Sequence, residues 1–143
     1  MALLKAFTAG FVSTLIFHQG LLTLFWLSGS FPRAPYDLHS VPPLGVPAVL
    51  SLAFFGGLWG MALWPLLRDA TEAAYWLRAL VAGAIGPSAV ALFVVFPLKG
   101  MPVAGGWDPK IIVGALLLNG AWGIGLALFL LMAGARERPA MAC

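Results

Sequence analysis

Four apolar stretches, each long enough to cross a bilayer, leave this chain few residues for anything else. They run over about residues 6–29, 45–67, 76–98 and 111–133, each nearly free of charge and bounded by charged or turn-forming residues. A spanning helix needs about 20 apolar residues, so each stretch suffices. Of the 143 residues, 62% are hydrophobic and 9% charged, against about 25% charged in an average soluble domain. So few polar groups cannot cover a water-exposed surface. The expected fold class is therefore an all-α membrane protein, an antiparallel bundle of four transmembrane helices forming one domain over residues 1–143. The longest connections, 30–44 and 99–110, leave no room for a soluble domain.

The first stretch has the basic start of a signal peptide in Lys5, but its apolar run resumes after Gly20 without a small-residue cleavage site. It reads as a retained first helix. Cys143 is the single cysteine; it can form no internal disulfide and is misplaced for a prenylation box. Four spans put Lys5, Arg68, Arg78, Arg136 and Arg138 on one side and Arg33, Lys99 and Lys110 on the other. That excess predicts a multi-pass protein with both termini in the cytoplasm. Trp64 and Trp76 then fall near the inner ends of the spans, with Trp26 and Trp107 near the outer ends, as interfacial belts require. The net charge of +3 bears on orientation rather than on nucleic acid.

Helix boundaries carry their own signals. Asp69 followed by Glu72 reads as a capping box for the third helix, and Asp108-Pro109 as an N-cap and first-turn proline for the fourth. A repeat also emerges. Lys5, Ala6, Ala9 and Gly10 match Arg78, Ala79, Ala82 and Gly83 at an offset of 73, while Gly57, Trp59, Gly60 and Leu63 match Gly120, Trp122, Gly123 and Leu126 at 63. Both hairpins would start on the same side, giving a parallel repeat about an axis along the membrane normal. Small residues every four positions, such as Ala6, Gly10 and Thr14 or Ala115, Asn119, Gly123 and Ala127, mark faces where backbones approach closely.

His18 continues the Ala6, Gly10, Thr14 series by one more step of four, which predicts that its imidazole points into the bundle. At about 1.5 Å per residue it lies roughly 12 Å from the outer edge of a core about 30 Å thick. Asn119 and Ser88 fall at roughly the same depth, and Ser51 slightly shallower, at roughly 9 Å. Pro87 removes a backbone donor, so a kink near Ser88 and a freed Gly83 carbonyl are expected. His18, Gln19, Ser51, Ser88 and Asn119 thus form an expected intramembrane polar layer, fit either for binding a small polar ligand or for hydrogen bonding between helices. Above it, the segment 97–107 with Lys99 and Trp107 reads as an outer loop that caps the layer or as an ordinary turn; its lysine precedes the glycines and no Ser or Thr follows, unlike a Walker motif.

Several chemistries find no support. A haem with two histidine ligands needs both at similar depth, yet His39 lies in the outer connection. Asp37 and His39 form a D-x-H pair without a third metal ligand nearby, and Ser13, Ser51 and Ser88 lack a nucleophile elbow. No carboxylate is embedded in the spans, as proton-coupled transport usually requires. No catalytic residue, metal or cofactor is therefore expected.

The chain also carries Phe17-His18-Gln19-Gly20, Gly45-Val46-Pro47, and Ser51-Leu52-Ala53-Phe54 leading into Gly56-Gly57-Leu58-Trp59-Gly60. Together with the 97–107 loop and Asn119-Gly120-Ala121-Trp122-Gly123, these features resemble a group of small inner-membrane proteins of proteobacteria. The resemblance implies a location and a fold; it brings no activity or site residue with it. The expected function is that of a noncatalytic membrane component, in contact with the lipid bilayer and not with nucleic acid, that packs with itself or as an accessory of a larger complex. The alternative is a small-solute channel or facilitator constricted at the polar layer.

Overall fold

A computed structural model describes residues 1–136, so the sequence readings at Arg138 and Cys143 lie outside the described residues. Four helices, each long and apolar enough to cross a membrane, account for most of it: α1 (Ala2–Leu27), α2 (Ala48–Leu67), α3 (Glu72–Leu98) and α4 (Pro109–Met132). They form an antiparallel bundle in which α1 packs on α2 and α4, and α3 packs closely on α4 and more lightly on α2. α1, α3 and α4 begin two to four residues before their apolar stretches, while α1 and α4 stop one or two residues short at their far ends. The largest shortfall is at residues 45–47. Instead of opening α2, Val46–Pro47 (β2) pairs antiparallel with Ser40–Val41 (β1), and α2 starts only after Pro47, whose ψ of 137° is extended.

Helix-to-helix contact is closest at glycines, and the two hairpins make it in the same way. A Cβ on Gly60 would stand 2.4 Å from the Ala6 carbonyl oxygen, and one on Gly123 would stand 2.2 Å from the Ala79 carbonyl oxygen. From the opposing side, a Cβ on Gly10 would meet Gly56 and Gly60, and one on Gly83 would meet Asn119 and Gly123. The offsets of 73 and 63 carry one set of contacts onto the other. The relation extends between hairpins: Ser13 of α1 meets Trp122 of α4, and at the matching positions Gly86 of α3 meets the ring of Trp59 of α2. The same glycine crossing therefore occurs in both hairpins, as a repeat of hairpins would have it.

The end that holds residues 1 and 136 carries the largest buried side chains of the core. Tyr75, Leu67, Leu126 and Leu130 are fully buried there. The Tyr75 hydroxyl donates to the Ala127 carbonyl at 2.6 Å, and Trp64 Nε1 donates to the Ala135 carbonyl at 2.9 Å. The Arg136 guanidinium lies 4.7 Å from the Tyr75 ring centre and donates to Ala70 O.

Two boundary expectations meet different outcomes. Asp108 is the N-cap of α4, its side chain accepting from the Lys110 N–H with Pro109 in the first turn. The capping box at Asp69 does not form. Thr71 is the N-cap of α3, without a side-chain capping bond, so Glu72 becomes the first helical residue and cannot reach back as the third would. Glu72 still places negative charge at the positive end of the helix.

Candidate functional site

Both first helices of the repeat are interrupted by a wider π-helical turn, at Thr14–His18 in α1 and at Ala91–Val95 in α3. In α1 the Gln19 N–H turns to the Thr14 and Ile16 carbonyls, leaving the Leu15 carbonyl that a regular α-helix would give it. The outer connection fills that vacancy: the Tyr36 hydroxyl donates to Leu15 O at 2.9 Å. The same residue's N–H donates to Gln19 Oε1 at 2.8 Å. Tyr36 thus straps the connection onto the turn from a left-handed backbone conformation, φ +53°, that non-glycine residues adopt only where neighbours fix it.

The widened turn corrects the expected direction of His18. One extra residue per turn shifts the phase of the helix, so the position above Thr14 on the buried face falls to Gln19, which is 4% exposed. His18 is half-buried, with Nδ1 3.4 Å from Gln19 Nε2. In α3, α-helical bonding passes Pro87 and continues to Val90, and the departure from regular winding follows one turn beyond Ser88 rather than at it.

The remaining residues of the expected layer form a separate set. Asn119 Nδ2 donates to Ser88 Oγ at 3.0 Å, joining α4 to α3. Ser88 is buried and Asn119 half-buried. No hydrogen bond links this pair to His18 or Gln19 among the described residues, and the half-buried Ser51 joins neither set. Ser88 lines a cleft of about 190 Å³ between α3 and α4 whose other walls, including Ile85, Leu92 and Leu116, are apolar. Trp107, also left-handed at φ +64°, forms part of its lining and contacts the Phe93 ring at 5.9 Å between centroids. The 97–107 segment therefore reaches the Ser88 cleft through Trp107, while Lys99 stays exposed beyond the end of α3.

Sequence reasoning missed the most connected polar group in the bundle. Trp122 Nε1 donates to Gly10 O at 2.9 Å, Ser13 Oγ donates to Trp122 O at 2.6 Å, and Thr14 Oγ1 also donates to Gly10 O. α1 and α4 thus exchange side-chain-to-backbone bonds in both directions. The signal was present, since an indole N–H in mid-span must find an acceptor away from water.

In the outer connection an oxygen of Asp37 accepts from the backbone N–H and contacts the ring of His39, with Arg33 3.9 Å away. The His39 backbone N–H, more than its ring or the arginine, holds the Asp37 carboxyl below its usual range. No group of three His, Cys, Asp or Glu side chains suited to a metal ion forms among the described residues. Comparisons with protein-family models, curated proteins and solved structures find no match to this chain.

Proposed function

We propose that this chain is a noncatalytic component of the bacterial inner membrane, with both termini in the cytoplasm, that packs with itself or within a larger membrane complex. Membership of the group of small proteobacterial proteins it resembles is part of the same reading. The observation that carries it is how the polar groups inside the spans are used. Ser13, Thr14, Trp122, Tyr75, Ser88 and Asn119 all engage in hydrogen bonds within or between helices, the role such groups take as packing elements in membranes. A channel requires polar groups that share one passage; here His18–Gln19 and Ser88–Asn119 are separate sets, and the α3–α4 cleft is almost wholly apolar.

Copurification from native membranes tests the proposal together with liposome flux. The packing reading expects a stable self-associated or partner-bound species, retained after His18→Leu and Asn119→Leu, and permeability to small polar solutes equal to that of empty liposomes. A lone monomer, or a flux that these two substitutions abolish in folded protein, would overturn it.

A further inference from the structure

The repeat relates the two hairpins closely enough that a place where they differ is informative. The offsets map Lys5 onto Arg78 and Phe129 onto Leu66. In the second half, Arg78 Nη1 donates to the Leu66 carbonyl at 3.1 Å, a cation closing the last turn of α2. The first half lacks this closure. The Lys5 ammonium has no hydrogen bond or ion pair among the described residues, and Lys5 and Phe129 instead line an open groove of about 440 Å³ between α1 and α4. Leu4, Ala9, Val12 and Met132 make its walls apolar, and the Thr8 hydroxyl is the one other polar side-chain group in it.

We propose that this groove holds an acyl chain of an anionic phospholipid whose phosphate rests on Lys5. The position of the charge and the shape of the slot agree on that occupant. Lys5 lies within the first turns of a helix long and apolar enough to cross a membrane, the end where headgroups meet such a helix, and the apolar slot runs from it along the helices toward Val12. Lysine binds phosphate as a flexible point charge, and the positive N-terminal end of α1 adds potential of the same sign. Basic residues beside apolar grooves between transmembrane helices are what anionic headgroups select. At the matching place in the second half Arg78 is already engaged with the Leu66 carbonyl, so the proposal assigns the lipid to Lys5 and not to Arg78.

The test uses the full chain purified in detergent, titrated with phosphatidylglycerol or phosphatidylcholine, with retained lipid counted by native mass spectrometry. Phosphatidylglycerol should be retained about fivefold more than phosphatidylcholine, the preference that one basic residue supplies at an anionic surface. Lys5→Gln should abolish the preference, Lys5→Arg should restore it, and Arg78→Gln should leave it unchanged. Thr8→Trp, which fills the slot, should reduce retention of both lipids. Lys5 and Thr8 are exposed, so these variants keep the fold, which circular dichroism checks. Equal retention of the two lipids by the unmodified chain, a preference that survives Lys5→Gln, or retention unaffected by Thr8→Trp would each overturn the proposal.

Discussion

The two hairpins cross at matching glycines but are tied down differently beyond the crossing. In each, an aromatic residue of the outer connection, held left-handed, returns to the neighbourhood of the widened turn: Tyr36 in the first and Trp107 in the second. Tyr36 does so through two hydrogen bonds to α1, whereas Trp107 does so through ring contact with Phe93. The comparison separates what the bundle needs from what each half adds. Close backbone approach is common to both, while the hydrogen-bonded strap and the Trp122–Ser13 exchange belong to one side only.

The largest effect should come from the shared part. Gly60→Ala and Gly123→Ala each drive a methyl into a backbone carbonyl that cannot yield, at about 3 kcal/mol. Thermal unfolding in detergent should show similar losses for both, and a loss confined to one would break the equivalence of the halves. Trp122→Phe removes a buried bond to Gly10 O at about 1.5 kcal/mol, on top of the ring packing that Trp59→Phe, at the matching position, also loses against Gly86. Equal costs for the two would sink the asymmetry.

Smaller still is Tyr36→Phe, which loses the partly solvated bond to Leu15 O. Amide hydrogen exchange in residues 28–47 should quicken by about fivefold without change near Trp107. The smallest effect is one of pH. Because the folded Asp37 carboxyl titrates below its unfolded value, its contribution is fully present above about pH 4 and is lost as pH falls through the lowered folded value. The Asp37 carboxyl carbon resonance should therefore titrate with a midpoint below that of a free aspartate, and a midpoint at or above the free value would contradict the assignment.

Hydropathy made the four spans legible because length and apolarity decide that outcome. The Gly60 and Gly123 crossings were readable as well, since only small residues permit such approach. Asp108 announced its own cap because N-capping is local. The π turn at Thr14–His18 was not readable: the Leu15 carbonyl it exposes is taken by the hydroxyl of Tyr36, 21 positions on, and periodicity within one segment contains no trace of that partner. Extrapolating the four-residue spacing through the turn therefore chose His18 where Gln19 stands. The pairing of Asn119 with Ser88 lay within reach, since both fell at the same estimated depth on helices joined by a short connection.

The widened turn of α1 also makes one residue dispensable. Excising Ile16, whose side chain is 54% exposed, would rewind the segment as plain α-helix with Gln19 four positions above Thr14 and still on the same face. A single-residue deletion usually rotates everything past it by about 100°. Here it would leave both ends of the span in phase, and the Leu15 carbonyl would recover a donor from its own helix, so the tyrosine hydroxyl alone would be left without its anchor.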